Sequence, residues 1–241
     1  MQRSRAIVLN KINYSETSII IKIYTEEDGL LSFIVKGIRG KKGKLRMAQF
    51  QALNLLEIDY KQSGKSELRY LLDLKISEPF SDLLFDPIKR AVALFVAELI
   101  QNCIQEEEQN KELFLFLHQS IHWLDLSKDS CTHFHLAFMM KLTKYLGFAP
   151  MENNTNALCF DLQTGQYLKH QPIHTFTIHG EEMEAWTKLS SCSYEHLPVL
   201  QFSNALKRSL VQALMDYYKL HLIHFKELNS QHILQIIFDD E

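Results

Sequence analysis

The densest group of chemically capable side chains lies in the basic segment, residues 36–46, which reads KGIRGKKGKLR and contains no acid. Closely spaced Lys and Arg side chains suit a polyphosphate, because neutralising phosphates releases condensed counterions. The segment therefore predicts contacts with nucleic acid, and the alternative is a solvated loop that binds nothing specific. Its cations are Lys36, Arg39, Lys41, Lys42, Lys44 and Arg46.

Charge is distributed unevenly along the chain. The first 75 residues hold 14 Lys and Arg against 8 Asp and Glu, a net charge of +6, and the remaining 166 hold 12 against 21, a net charge of −9. The overall charge of −3 therefore hides a basic first part, and electrostatic fields act locally. The acidic second part is better suited to protein partners than to DNA.

The elements that must position the basic segment are strands. Five β-branched or aromatic stretches occur within the first 80 residues, and a small antiparallel barrel is their natural arrangement because closure removes exposed edges. The basic segment lies between the third and fourth stretches and is expected to project from the barrel. The five stretches are residues 4–9, 18–25, 30–38, 50–60 and 67–76.

Aromatic side chains of the barrel are candidates for stacking on bases. Five-stranded barrels often bind single strands by combining a basic groove with stacking aromatics. Most of the available rings are expected to pack in the core or at the rim instead. The rings are Tyr14, Tyr24, Phe33, Tyr60 and Tyr70.

The chain beyond residue 80 reads as helices. Asp86 is a good N-cap with Pro87 at the first helical position, and apolar residues then recur at three- and four-residue spacing. Ser203 caps a last long helix to about residue 225. Between these, the sequence predicts helices over 112–126, 132–146 and 181–189. CFDLQTGQYL, within the otherwise irregular residues 151–180, predicts a hairpin turning at 164–165.

Metal-binding and catalytic patterns are weak, so no metal, cofactor or enzymatic activity is predicted. His118 and His122 are four residues apart, but no Glu lies between them in the H-E-x-x-H manner. A structural zinc needs about four good ligands, and no C-x-x-C is present. No phosphate-binding loop, dinucleotide fingerprint or nucleophile–base pair is recognisable.

Cysteine usage and hydropathy indicate the cytoplasm. The four cysteines lie far apart, at 103, 131, 159 and 192, and read as free thiols of a reducing compartment. The opening MQRSRAIVLN lacks the apolar stretch of a secretory signal. No apolar run approaches the roughly 20 residues that a bilayer needs, so no membrane association is expected.

The helical part has a second interpretation as a protein-binding surface. A groove between its helices would suit a short acidic, hydrophobic peptide, with cations at the rim. Each cation is otherwise an exposed solubilising charge. These sparse cations are Lys89, Arg90, Lys141, Lys144, Lys207 and Arg208.

The ordered set of motifs resembles the bacterial DNA repair protein RecO family. The opening from Arg5 to Arg46 resembles the start of that family, and the strand from Gln49 to Tyr60 follows it. The match continues with AELI at 97–100, with the helix end from Lys141 to Pro150, and with YYKLHL at 217–222. The resemblance spans nearly the whole chain, and its specificity comes from the order in which the motifs occur.

The resemblance implies a recombination mediator without nucleotide hydrolysis. It implies binding of single- and double-stranded DNA, annealing of complementary strands, and help in loading the recombinase RecA in gap repair. The implied partners are the RecR ring protein and the acidic C-terminal tail of the single-strand-binding protein. By position, the six cations of the basic segment carry over as DNA contacts.

The sequence departs from the resemblance in one respect. Many relatives hold a four-cysteine zinc module after the LGF-P segment, whereas this chain has only Cys159 there. We therefore expect the hairpin to persist without metal, held by packing of residues such as Phe160 and Tyr167.

The predicted fold class is α+β, with an N-terminal five-stranded OB-fold barrel over residues 1–80 and a helical domain over 81–241. The helical domain carries the hairpin insertion at 151–180. The predicted function is DNA-binding recombination mediation. The rival is an adaptor whose barrel binds an acidic partner segment, and a nuclease is a distant third.

Overall fold

The computed structural model describes residues 1–37, 47–61, 68–104, 108–128, 131–152 and 156–232. It divides into two compact units, Met1–Leu126 and Ser127–Glu241. The change from strand to helix falls near residue 80, whereas the compact units divide after Leu126. The first unit therefore contains the strands of the first 80 residues together with helices that follow them.

A closed five-stranded barrel forms the N-terminal part of the first unit, with the strand order β1-β2-β3-β5-β4. All neighbours are antiparallel except β3 and β5, which are parallel. This arrangement confirms the OB-fold barrel. The strands are β1 (Gln2–Ser15), β2 (Ser18–Thr25), β3 (Gly29–Lys36), β4 (Leu55–Lys61) and β5 (Leu68–Glu78).

Alternating apolar residues build the barrel core, since successive side chains of a strand point to opposite faces. In β2, Ile19, Ile21 and Ile23 are fully buried, and Phe33 of β3 and Ile58 of β4 join them. The side chains between these positions consequently face outward.

The start of β4 lies later than the predicted residue 50. Met47–Gln49 are helical, and Leu53 has a positive φ of 65°, which a strand does not allow. The Asn54 side chain donates to the carbonyl of Gln49 at 2.8 Å and so holds this turn. Strand β1 is longer than predicted, because it pairs with both β2 and β4.

Beyond the barrel strands, the described residues of the first unit form two long helices, α1 (Pro87–Cys103) and α2 (Lys111–Leu126). The predicted cap is confirmed, since the Asp86 carboxylate accepts from the backbone N–H groups of Ile88 and Lys89. The prediction of Lys89 as a rim cation is wrong. Its side chain is buried and its ammonium contacts the Asp82 carboxylate at 2.7 Å and the Asp125 carbonyl at 2.9 Å.

The Asp125 carboxylate, near the end of α2, clamps the segment that leaves the barrel. It accepts from the backbone N–H groups of Ser81, Asp82 and Leu83 at 2.7–2.9 Å, and from the Ser81 hydroxyl at 2.8 Å. Burial opposes ionisation of this carboxylate. The four donors outweigh burial, so the pKa of Asp125 is lowered.

Replacing Asp125 with Asn is expected to cost about 2–4 kcal/mol of unfolding free energy near neutral pH, because an amide nitrogen then faces N–H donors. A group whose folded pKa is depressed contributes fully above its unfolded pKa of about 4, and loses that contribution as pH falls through the folded pKa. The difference between the two proteins should therefore shrink in acid. Urea unfolding across pH checks this, with exchange of the 81–83 amides locating the effect.

The exposed Glu184 supplies the matched control for that experiment. Glu184→Gln removes one negative charge without removing a buried acceptor, so its effect should stay within about 0.5 kcal/mol. An Asp125→Asn protein as stable as the Glu184→Gln protein would contradict the clamp.

The second unit contains α3 (Phe134–Tyr145), α4 (Gly180–Ser191), a 3-10 helix (Tyr194–Val199) and α5 (Asn204–His221). The predicted cap of the last helix is confirmed, because the Ser203 hydroxyl accepts from the Leu206 N–H at 3.1 Å. The helix ends four residues earlier than predicted. The 3-10 helix was not predicted, since Pro198 lies inside it.

The predicted hairpin is confirmed as part of a three-stranded sheet. Strands β6 (Cys159–Asp161) and β7 (Gln166–Leu168) pair across the turn, and β8 (Thr177–Ile178) pairs with the other edge of β6. Gly165 has a φ of +68°, and a Cβ there would lie 2.6 Å from the Tyr217 hydroxyl oxygen. Only glycine therefore suits this turn.

Candidate nucleic-acid interface

A line of outward-facing side chains crosses four strands of the barrel. Ile20 faces outward because it alternates with the buried Ile19 and Ile21. The register places Ile12 opposite Ile20, Ile20 opposite Ile34, and Ile34 opposite Tyr70. Directly paired residues share a face. We call Ile12, Ile20, Ile34 and Tyr70 the outer row.

Lysines flank the outer row. Lys61 pairs with Tyr70 across β4 and β5, and Lys22 lies on the same outer face one row away. The Lys36 ammonium lies 6.0 Å from the centre of the Tyr70 ring. The outer row itself carries no acid, and on β4 the outward residue two positions before Lys61 is the acidic Asp59. The other described positions that flank the row on β1, β2, β3 and β5 include Asn10, Ser18, Ser32 and Leu68.

The basic segment begins at this face. Lys36 ends β3 and is exposed. The next residue, Gly37, has a φ of +75°, and its N–H donates to the Thr17 carbonyl at 2.9 Å in the turn between β1 and β2. The structure thus fixes where the segment leaves the barrel. The remaining predicted contacts lie outside the described residues: Arg39, Lys41, Lys42, Lys44 and Arg46.

The five candidate rings separate into two groups. Phe33 and Tyr60 are fully buried and pack edge to face at 5.5 Å, and Tyr24 is buried against Phe114. Burial and the neighbouring Asp28 carboxylate raise the pKa of Tyr60. Tyr14 and Tyr70 are exposed, at 61% and 40%. Only these last two rings are accessible to a ligand.

Sequence reasoning missed the isoleucines of this face and two of its lysines, Lys22 and Lys61. SIIIKIYT is apolar at nearly every position, so its inward and outward residues look alike in the sequence. Lys22 is the one charged position within that run. It indicates which alternate residues face outward, and it was the signal available in the sequence. Tyr14 sits where the register between β1 and β2 shifts, which also cannot be read locally.

The histidine pair noted in the sequence contacts one carboxylate. His118 Nε2 and His122 Nδ1 lie 3.1 Å and 3.4 Å from the two oxygens of Glu78. Burial lowers the pKa of His135 to about 3, so this ring is a neutral core residue. Over the described part of the chain, no three His, Cys, Asp or Glu side chains are grouped as in a metal site.

The residues at the hairpin do not fit the zinc module of the resembled family. Cys159 is buried, and burial first and the Asp161 carboxylate second raise the pKa of its thiol. The zinc module has four cysteine ligands, whereas Cys159 is the one cysteine between residues 132 and 191. Its sulfur contacts the His170 carbonyl at 3.5 Å, and Asp161 contacts the His174 ring.

Aromatic packing holds the hairpin, as predicted. The Phe160 ring lies 4.8 Å from Tyr167, 5.1 Å from Trp186 and 6.0 Å from Tyr217, measured between ring centres. Phe160 and Trp186 are fully buried. This aromatic cluster joins β6 and β7 to α4 and α5.

Of the helices within the described ranges, none has the length and apolar composition needed to cross a lipid bilayer.

Comparisons with known proteins cover almost the whole chain. Residues 1–80 match the family model described as Recombination protein O N terminal, and residues 84–230 match Recombination protein O C terminal. The chain is 32% identical to the DNA repair protein RecO of Azobacteroides pseudotrichonymphae over 242 residues, which cover 99% of this chain and 100% of that protein.

Two further relatives carry the same name. The DNA repair protein RecO of Flavobacterium psychrophilum is 33% identical, with 98% of each chain covered. That of Bacteroides fragilis is 33% identical, with 99% of this chain and 100% of the relative covered. With both halves matched in order and at full length, the chain belongs to the RecO family of DNA repair proteins.

Proposed function

We propose that this protein is a recombination mediator that binds single- and double-stranded DNA and anneals complementary strands without hydrolysing nucleotides. Membership of the RecO family supports a role in DNA repair. The observation that carries the DNA-binding proposal is the barrel face on which Lys22, Lys36 and Lys61 lie beside an outer row without acids.

The basic segment extends this face in the proposal. Lys36 lies on the face, and five more cations follow within ten residues, so a polyanion beside the outer row meets a high density of positive charge. Contacts to phosphates fix the strand without reading its sequence. We therefore assign DNA contacts to Lys36, Arg39, Lys41, Lys42, Lys44 and Arg46, with binding that is largely independent of sequence.

Annealing follows from holding two strands on one molecule. Once one strand is bound, a second strand on the same or an adjacent protein meets it at a raised effective concentration. Screening of the phosphates by lysines also lowers the repulsion between the two strands. No catalytic side chain is required for either effect.

The acidic part of the chain is assigned to protein partners. Residues 1–80 would bind DNA, and residues 81–241, which carry a net negative charge, would bind proteins. The proposed partners are the RecR ring protein and the C-terminal tail of the single-strand-binding protein, and with them the mediator would help load the recombinase onto gapped DNA. The proposed compartment is the cytoplasm, where bacterial DNA lies.

An annealing assay tests the proposal. Two complementary oligonucleotides, one with a fluorophore and one with a quencher, are mixed with and without the full-length protein. The protein is expected to speed quenching, and the acceleration should disappear at high salt, because the phosphate contacts are screened. Strand pairing at the protein-free rate, with no DNA bound at low salt, would contradict the proposal and favour the adaptor.

A further inference from the structure

We infer that the outer row binds unpaired bases, with Tyr70 as a stacking platform, so that this face of the barrel selects single-stranded over duplex DNA. The inference deepens the proposed function and rests on it. Its starting observation is the register of Ile12, Ile20, Ile34 and Tyr70 on the outside of the barrel.

The outer row is apolar where a barrel normally meets water. The solvent face of an antiparallel sheet is usually polar, yet four adjacent outward positions here carry three isoleucines and a tyrosine. Ile12 is 50% exposed and Tyr70 is 40% exposed. Contacts with phosphates would not require apolar side chains here, whereas packing against the flat faces of bases would.

Tyr70 has the surroundings of a stacking ring. Its backbone is held between Ile34 of β3 and Lys61 of β4. The Lys36 ammonium lies 6.0 Å from the ring centre, within the range of a cation–π contact. A base stacked on this ring would place its phosphates near Lys36 and Lys61. The Tyr70 ring would thus contact the base of a nucleotide, and the lysines would contact its phosphate.

The positive charge beside the outer row indicates which ligand this face binds. The outward residues next to the outer row include Lys22, Lys36 and Lys61, and the basic segment begins beside Tyr70. A neutral apolar segment of a protein would gain nothing from these cations. A single strand of DNA supplies flat rings for Tyr70 and anionic phosphates for the lysines in alternation, so we assign this face to single-stranded DNA.

Duplex DNA cannot stack its bases against the outer row. In a duplex, each base face is covered by its neighbours, and only phosphates and groove edges reach a protein. A duplex would consequently be held by the lysines alone. Removing the ring should weaken binding to single strands and leave binding to duplex unchanged.

The decisive variants are Tyr70→Leu and Tyr70→Phe. Stacking on an aromatic side chain contributes about 1–3 kcal/mol per base, so Tyr70→Leu is expected to weaken binding to oligothymidylate by about 5- to 150-fold. Tyr70→Phe keeps the ring and should bind within about twofold of the native protein. Duplex affinity should be unchanged in both variants.

Phe85 provides the matched control, because it is an exposed aromatic residue, at 75%, that follows β5 and lies off the outer row. Phe85→Leu should leave both affinities unchanged. Thermal unfolding of each variant verifies that the barrel is intact. A second probe, a strand of abasic nucleotides, should bind the native protein at least as weakly as oligothymidylate binds Tyr70→Leu, because it also loses base contacts with the isoleucines.

The outcomes separate this inference from the proposed function. Binding to neither single strands nor duplex would overturn both. Single-strand binding that Tyr70→Leu does not weaken, or equal weakening for single strands and duplex, would overturn the stacking platform and leave the DNA-binding mediator standing. Loss of single-strand affinity in Tyr70→Leu, with rescue in Tyr70→Phe, is the result that supports it.

Discussion

Replacing Lys41, Lys42 and Lys44 together by Glu is expected to weaken binding to single-stranded DNA by about 100-fold or more near 0.1 M salt. Each lysine–phosphate contact releases about 0.7 counterion from a single strand, which at this salt corresponds to about 1 kcal/mol. Three lost contacts therefore account for the expected loss, and the repulsion of three new carboxylates adds to it. Gel-shift titration at fixed salt measures the change.

A matched variant separates local contacts from overall charge. Lys144, Lys169 and Lys188 are exposed lysines of the second unit, and replacing them by Glu changes the net charge by the same amount. This control should bind DNA nearly as the native protein does, because the proposal assigns the phosphate contacts to the basic segment and not to the second unit. Equal losses in the two triple variants would contradict the assignment of the basic segment.

Replacing Phe160 with Ala is expected to cost about 3–5 kcal/mol of unfolding free energy, through lost burial and the cavity that remains. Phe160 is fully buried and packs against Tyr167, Trp186 and Tyr217, so its removal opens the centre of the aromatic cluster. Urea unfolding followed by tryptophan fluorescence measures this loss, since Trp186 belongs to the same cluster.

Two controls accompany this variant. Phe176→Ala removes a ring that is 42% exposed, next to the same small sheet, and should cost much less. Adding a metal chelator to the native protein should leave its unfolding curve unchanged, because the hairpin offers a single cysteine, Cys159, whose thiol contacts the His170 carbonyl. A chelator that destabilises the native protein would contradict the aromatic account of the hairpin.

Local patterns were sufficient to predict most elements of the fold. The bounds of β2 were predicted as Ser18–Thr25, because a β-branched run ends there in the acidic turn Glu26–Gly29. The caps at Asp86 and Ser203 were predicted from the side chains that accept the first N–H groups of each helix. The hairpin turn followed from Thr164–Gly165.

Features that depend on distant partners were not predicted. The β1–β4 pairing joins residues 48 to 58 positions apart, from Ile7 with Leu55 to Gln2 with Tyr60, and no local pattern encodes it. The Asp125 clamp depends on three N–H groups some 40 residues earlier in the chain. Leu53 adopts a left-handed conformation that its residue type does not favour, so the late start of β4 was also unpredictable.

Only part of the candidate site could be predicted from the sequence. Composition alone identified the basic segment, because six cations without an acid are visible in the sequence. Tyr70 was one of five candidate rings, and only the barrel register separates it from the buried Tyr24, Phe33 and Tyr60. Its proximity to Lys36 requires the parallel pairing of β3 with β5, which closes the barrel.

Fluorescence anisotropy of a labelled single strand, titrated with the protein over a series of salt concentrations, tests the central claim most directly. The logarithm of affinity should fall linearly with the logarithm of salt, with a slope equivalent to roughly 3–6 phosphate contacts. The Lys41, Lys42 and Lys44 variant should lose about three contacts from that slope. Affinity that does not change with salt, or no binding even at low salt, would contradict the claim that this end of the barrel holds DNA by its phosphates.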